Sequence, residues 1–295
     1  MSRLFSSGIA LACLALFATT NSLAADPVPK TVRVAAVQFI SQWAKPAENR
    51  KALEPLVREA AGHGAKIVVL PEAAISGYMS HDIGTTWQVD QRPLSVGLEG
   101  ISPKAVAESV PGESTKLFGA LAKELGIYLT VPIVEFDARQ GKYFNTLVLV
   151  DPEGRIALHY RKLNPWKWAE RGWASAGDRG HQFLDTPYGR LGLLICYDIN
   201  FEPPRLRQNK VDHLLYAIAW VEDADSTWFA EELPNIAKKT NVNIIGANWS
   251  VPAKPDWHGY GQSLILRRNG QVAARVKNDL VNEIVYADLE VVKKP

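Results

Sequence analysis

Short apolar runs recur along the chain, and stretches with helical spacing separate them. Residues 32–39 and 66–70 read as buried strands, since brief apolar runs bounded by turn residues suit a sheet covered on both faces. Between them, residues 48–62 have helical character and end at Gly62. Pro55 inside that stretch predicts either a kink or a helix start near it. Residues 73–112 mix Gly, Ser, Pro and aromatic residues with weak periodicity, which predicts a long loop region with room for one short helix. Residues 114–125 predict a helix that stops at Gly126.

The second part of the chain repeats this kind of order. Residues 127–136, 143–150 and 155–161 read as strands, the last two joined by the turn Asp151-Pro152-Glu153-Gly154. A Trp-rich loop covers 163–181. Strands follow at 183–187, 190–195 and 213–219, then a helix at 226–240 and a strand at 242–247. Asn269-Gly270 predicts a hairpin between 262–266 and 271–276, and 283–289 closes the chain. The alternation of strands and helices, run through twice, predicts an α/β fold with helices covering sheets. No linker or fixed-period repeat follows residue 30, so residues 25–295 read as one domain.

The first 25 residues stand apart. Arg3 opens a short positive start, an apolar stretch covers 9–17, and Ser22-Leu23-Ala24 offers small residues to a signal peptidase. Residues 1–24 are therefore expected to be a cleaved export signal, cut after Ala24 or Ala25. The other reading is an uncleaved anchor, for which the apolar stretch is short. The export reading makes the mature protein periplasmic or secreted, with no stable membrane insertion. The net charge of +2 provides no basic field for nucleic acid. Export also changes the meaning of the cysteines. Of the two, Cys13 lies in the leader, so the mature chain keeps Cys196 alone and cannot close an internal disulfide. A lone thiol in an oxidising compartment is either an inert core residue or a nucleophile.

The surroundings favour the nucleophile. Cys196 ends the apolar run Gly192-Leu193-Leu194-Ile195, Glu72 follows Val68-Val69-Leu70-Pro71, and Lys162 follows Leu158-His159-Tyr160-Arg161. Each candidate stands at the carboxyl end of a strand, where α/β sheets present side chains to a crevice. A thiol attacking an amide carbonyl needs a base, an oxyanion donor and an acid for the leaving amine. A glutamate can serve as base and acid. A lysine favours the thiolate and the oxyanion, together with the backbone N–H of Tyr197. No metal or cofactor is required. The six histidines show no metal-ligand spacing, and a Cys–His pair is poorly supported.

These segments, in this order, resemble the nitrilase superfamily of carbon–nitrogen hydrolases over residues 31–290. The resemblance implies that Glu72 is the general base, that Lys162 stabilises the tetrahedral intermediate and that Cys196 is the nucleophile. It further implies that Glu170, eight residues after Lys162, positions substrate or lysine. The implied fold is a four-layer α-β-β-α sandwich, and a homo-oligomer is expected. Several stretches, among them Phe144-Asn145-Thr146 and Cys196-Tyr197-Asp198-Ile199-Asn200-Phe201, resemble the vanin and biotinidase branch. That branch implies an exported thiol amidase acting on a small-molecule amide such as pantetheine or biotinyl-lysine. A nitrilase, an aliphatic amidase or an N-carbamoyl amidohydrolase is the alternative on the same scaffold. Acyl transfer from the same thioester, and a non-catalytic binding protein of this fold, also stay open. Other branches carry Arg where this chain has Asn200, so an anchor for a substrate carboxylate is missing. Tyr78, Asn145, Trp166 and Trp220 are the candidate substrate-pocket residues. Aromatic walls there predict a water-poor site that raises the pKa of a glutamate.

Overall fold

The computed structural model describes residues 29–78, 88–89, 92–93 and 103–291, apart from 168, 171, 223, 224, 253 and 255–257. The expected leader, His81 and Trp168 lie outside the described residues.

The chain builds a first run of β1 (Thr31–Gln38), α1 (Pro46–Gly62), β2 (Ile67–Val69), the small hairpin β3 (Gln88–Val89) and β4 (Arg92–Pro93), α2 (Glu113–Leu125), β5 (Tyr128–Asp137), β6 (Lys142–Val150) and β7 (Ile156–Arg161). A second run follows with β8 (Phe183–Thr186), β9 (Gly189–Ile195), α3 (Pro203–Gln208), β10 (His213–Ile218), α4 (Leu233–Thr240), β11 (Asn243–Asn248), β12 (Leu264–Leu266) and β13 (Val272–Arg275). The last strand, β14 (Glu283–Glu290), returns to pair antiparallel with β1.

Two six-stranded sheets result, ordered β14-β1-β2-β5-β6-β7 and β8-β9-β10-β11-β12-β13. They share one plan. Three parallel strands, β1-β2-β5 or β9-β10-β11, are linked by two helices and extended by an antiparallel meander. An antiparallel strand closes the other side of each, β14 beside β1 and β8 beside β9. The repetition lies in element order rather than residue identity, which is why no fixed sequence period reveals it.

Period-two alternation explains the layers. Along β1, Val32, Val34 and Ala36 face the other sheet and pack with Leu191, Leu193 and Leu215. Ala35 and Val37 face outward and pack under Leu53 and Val57 of α1 and Phe118 and Leu121 of α2. Leu206 of α3 and Leu233 and Ala237 of α4 cover the second sheet. The architecture is the four-layer α-β-β-α sandwich. Burying each such Leu or Val side chain contributes about 1.5–3 kcal/mol.

Three points differ from the sequence reading. α1 begins at Pro46, well before Pro55, and continues through it. Pro55 lies on the exposed face, where water can satisfy the carbonyl that loses its partner. The short α3 has no counterpart in the sequence reading, because Leu206 is its sole buried side chain and gives no periodicity. In addition, the helix expected over 226–240 starts as a π-turn at Trp228–Glu232 before α4.

The sheets meet where their parallel strands end. The Glu72 N–H donates to the Ile218 carbonyl at 3.3 Å, and the Ser250 N–H donates to the Phe39 carbonyl at 3.0 Å. The carboxyl ends of β2, β9 and β10 thus open into one crevice.

Candidate active site

Glu72, Lys162 and Cys196 come from different strand ends, and the fold gathers them there. Glu72 starts the turn after β2 and is 1% exposed. Lys162 stands one residue past β7 and is fully buried. Its N–H donates to the Asn145 carbonyl and its own carbonyl accepts from the Gly177 N–H, both at 2.8 Å. A Cβ at position 177 would lie 2.1 Å from the Arg161 carbonyl oxygen, so only glycine lets the loop close on the strand there.

The lysine joins two carboxylates. Lys162 Nζ donates to Glu72 Oε1 and to Glu170 Oε1, each at 2.8 Å. Asn145 Nδ2 donates to the same two oxygens at 2.7 and 2.6 Å. Asn145, expected in the pocket wall, therefore sits behind it as a second bridge between the carboxylates. Glu170 stands beside Lys162, as the eight-residue spacing suggested. Its other oxygen accepts from the Trp166 N–H at 2.6 Å, which pins the loop after β7. Glu72 Oε2 is buried and has no hydrogen-bond partner among the described residues.

Burial raises the Glu72 carboxyl, the Lys162 cation pulls it down, and the Glu170 charge raises it further; the outcome is about 8. Burial alone would lower the Lys162 ammonium, but Glu170 and Glu72 push it well above its ordinary value. Burial and the Glu72 charge push the Cys196 thiol well up, against the pull of Lys162. The resting site is a charged lysine, a neutral thiol and a glutamate whose proton affinity suits transfer near neutral pH. The desolvation comes from an apolar cluster of Ala73, Tyr78, Ala169, Ala219 and Trp249, against which Trp166 and Val221 pack. Tyr78 is buried among Glu170, Glu72 and Cys196, and burial raises its phenol well above the usual value.

Cys196 occupies a strand-to-turn corner with φ of 39°, a left-handed conformation that a non-glycine residue adopts at a cost of about 1–3 kcal/mol. Surrounding bonds hold it there. The Tyr216 hydroxyl donates to the Cys196 carbonyl at 2.9 Å. Asp198, two residues on, accepts from the Tyr160 hydroxyl at 2.6 Å and from the Asn164 N–H at 2.8 Å. Asp198 thereby ties the Cys196 turn to β7 and to the loop carrying Glu170. Sequence reasoning assigned no role to Asp198 or Tyr216. The signal for Asp198 was a carboxylate in a mostly apolar segment, which demands partners once buried.

A pocket of about 250 Å³ is lined by Cys196 with Trp166, Tyr197, Asn200, Trp220 and Val221 around it. Trp166 and Trp220 line it, whereas Tyr78 lies deeper, in the apolar cluster. His213 pairs with Leu191, at the opposite end of β9 from Cys196. His159 and His181 lie 2.8 and 2.7 Å from Glu135 and Glu202.

Comparison with known proteins gives the family and the fold. Residues 33–293 match the family model described as carbon-nitrogen hydrolase. The omega-amidase NIT2 of Mus musculus is 33% identical over 89% of this chain and 90% of that protein. The omega-amidase NIT2-B of Xenopus laevis is 32% identical over 88% of each. An aliphatic nitrilase of Sinorhizobium fredii is 31% identical over 65% of this chain and 60% of that protein. Among solved structures, an amidase of the nitrilase superfamily from Nesterenkonia AN1 superposes with a TM-score of 0.71 at 19% identity, covering 89% of this chain and 92% of the other. A form of it in complex with butyramide superposes equally well, at 0.71 and 19% identity over 90% and 93%. These curated relatives are omega-amidases and a nitrilase, so the expected link to the vanin and biotinidase branch is not borne out.

Proposed function

The chain belongs to the carbon–nitrogen hydrolase family, and from that premise we propose a thiol amidase that hydrolyses a small linear carboxamide to an acid and ammonia. The observation that carries this is the Glu72–Lys162–Glu170–Asn145 cage placed beside Cys196 under a small aromatic pocket.

In this mechanism Glu72 takes the Sγ proton and the thiolate attacks the carbonyl carbon. Two of the three Lys162 ammonium hydrogens are committed to carboxylates, which leaves the third for the oxyanion. The Tyr197 N–H is the second donor. As the tetrahedral adduct collapses, Glu72 returns the proton to the nitrogen, ammonia leaves and a thioester remains. Glu72 then takes a proton from water, hydroxide adds to the thioester, and the acid departs as the thiol is restored. A carboxyl with a pKa of about 8 accepts and releases a proton with little penalty in either direction. Glu170 and Asn145 are positioning residues for Lys162 and Glu72.

At about 250 Å³ the pocket falls just below the usual range for ligand sites, roughly 300–1,000 Å³. That supports a short acyl group, not the larger pantetheine or biotinyl-lysine. The test is ammonia and amine release from short aliphatic amides, nitriles, pantetheine and biotinyl-lysine, with Cys196→Ala as control. Cys196-dependent ammonia from the short amides is expected. Turnover confined to the larger substrates would return the protein to the vanin-like reading, and undiminished turnover by Cys196→Ala would remove the thioester mechanism. Residues 1–24 carry the features of a cleaved leader, and we propose that the enzyme acts after export. Recovery of the native protein in the cytosolic fraction with its leader intact would contradict this.

A further inference from the structure

The pocket's charge and rigidity go further than its size. Trp220 forms one wall and is held on three sides. Its indole stacks on Trp228 with centroids 4.2 Å apart and planes 8° from parallel. Its Nε1–H donates to Glu222 Oε2 at 2.9 Å, and the Ser226 hydroxyl donates to that same oxygen at 2.7 Å. Its backbone N–H donates to Asn248 Oδ1 at 3.1 Å. Asn248 is fixed in turn by donating to the Gly259 and Gly261 carbonyls, both at 2.6 Å. The wall is a preset aromatic plate rather than an adaptable loop side chain.

None of the described residues lining the pocket carries a positive charge. The charge bonded to its wall is the Glu222 carboxylate. Below Cys196 lie the carboxyl groups of Glu72 and Glu170, and the one ammonium between them is engaged by both. An acyl chain that ended in a carboxylate would give up its water and find no cation among the described lining residues in return. An uncharged chain would lose nothing comparable and would gain the contact with Trp166 and Trp220.

We propose that this pocket selects amides with a short, uncharged acyl chain and rejects those whose acyl chain carries a carboxylate, with Trp220 as the specificity-determining wall and Asn200 as the rim position that sets the charge preference. The inference rests on the amidase reading and names its substrate class. Asn200 suits that role because it is exposed and, among the described residues, its side chain donates only to the nearby Tyr197 carbonyl, at 3.1 Å. A cation can replace it without disturbing the core.

The experiment compares butyramide with succinamate, its analogue carrying a terminal carboxylate, as substrates of the wild-type enzyme, Asn200→Arg and Trp220→Ala. Wild type is expected to favour butyramide in kcat/KM by about tenfold or more. Asn200→Arg should narrow that ratio by raising turnover of succinamate. Trp220→Ala should raise KM for butyramide more than it lowers kcat. Binding of both amides to Cys196→Ala, followed by tryptophan fluorescence, reads the same preference without turnover. Failure of the amidase reading and failure of the charge preference are thus separate results. Wild type that turns over succinamate as well as butyramide, or Cys196→Ala that binds it as tightly, overturns the proposal.

Discussion

Arg161 and Lys162 are neighbours in the chain, and both bury a cation among carboxylates, yet the two clusters differ in kind. Arg161 donates to both oxygens of Glu135, to Asp137 at 2.7 Å and to Asp178 at 2.8 Å. Glu135 also accepts from the Thr146 hydroxyl at 2.7 Å and lies 2.8 Å from His159. Burial alone would raise the Glu135 carboxyl, but its bonds from His159, Arg161 and Thr146 hold it at about 2. Around Lys162, two carboxyl groups share one ammonium and one amide, an oxygen of Glu72 is left over among the described residues, and its carboxyl rises to about 8. The ratio of donors to carboxylate oxygens therefore separates the two. A saturated cluster holds its charges fixed and serves as scaffold. An undersupplied one keeps a carboxyl able to exchange a proton.

Substitutions on the two sides should break different properties. Glu72→Gln keeps the shape of the cage and removes the base, so kcat should fall about a hundred- to ten-thousand-fold. Because Glu170 still compensates Lys162, and a neutral amide is spared the cost of a carboxyl raised to about 8, its urea midpoint at neutral pH should hold or rise. Glu135→Gln should do the reverse. Breaking a buried pair costs about 3 kcal/mol of stability, read by urea unfolding, while kcat of the folded protein stays near wild type. If Glu135→Gln lost activity at full stability, the division between scaffold and site would fail.

The pH dependences should have opposite signs. The folded Glu135 pKa is depressed, so its stabilisation is present above the unfolded value of about 4.3 and is lost as pH falls toward about 2. The folded Glu72 pKa is raised, so its contribution is present below about 4.3 and is lost as pH rises through about 8. Unfolding titrations of wild type against each variant separate the two windows. In activity, kcat/KM should climb with pH to a plateau above about 8, and Glu72→Gln should lack that limb. The smallest effect belongs to Tyr216→Phe. Losing one hydrogen bond to the Cys196 carbonyl costs about 1 kcal/mol, which corresponds to a fall of about fivefold in kcat if the bond holds the nucleophile's corner in place.

Much of this was legible before any coordinates. Glu72, Lys162 and Cys196 each follow an apolar strand, and a strand end is a local property that periodicity reports. Glu170 was legible by spacing from Lys162. Asn145 was seen but misplaced, since an asparagine in an apolar strand marks a buried polar partner without saying which group it meets. Asp198 and Tyr216 have no such signal as supports of the Cys196 corner. Their partners, Tyr160 with Asn164 and the Cys196 carbonyl, come from other segments of the chain.

The sequence by itself determined the element order, the double-faced burial of the strands and the residues able to do thiol chemistry, because alternation and turn residues act over a few neighbours. The tertiary structure alone decided that two sheets of the same plan meet at their strand ends. It also decided that Lys162 shares its charge between two carboxylates, and that the aromatic wall stands in front of Glu222. Those outcomes depend on distances between residues far apart in the chain, and on the balance of donors and acceptors once water is excluded. Local sequence carries neither.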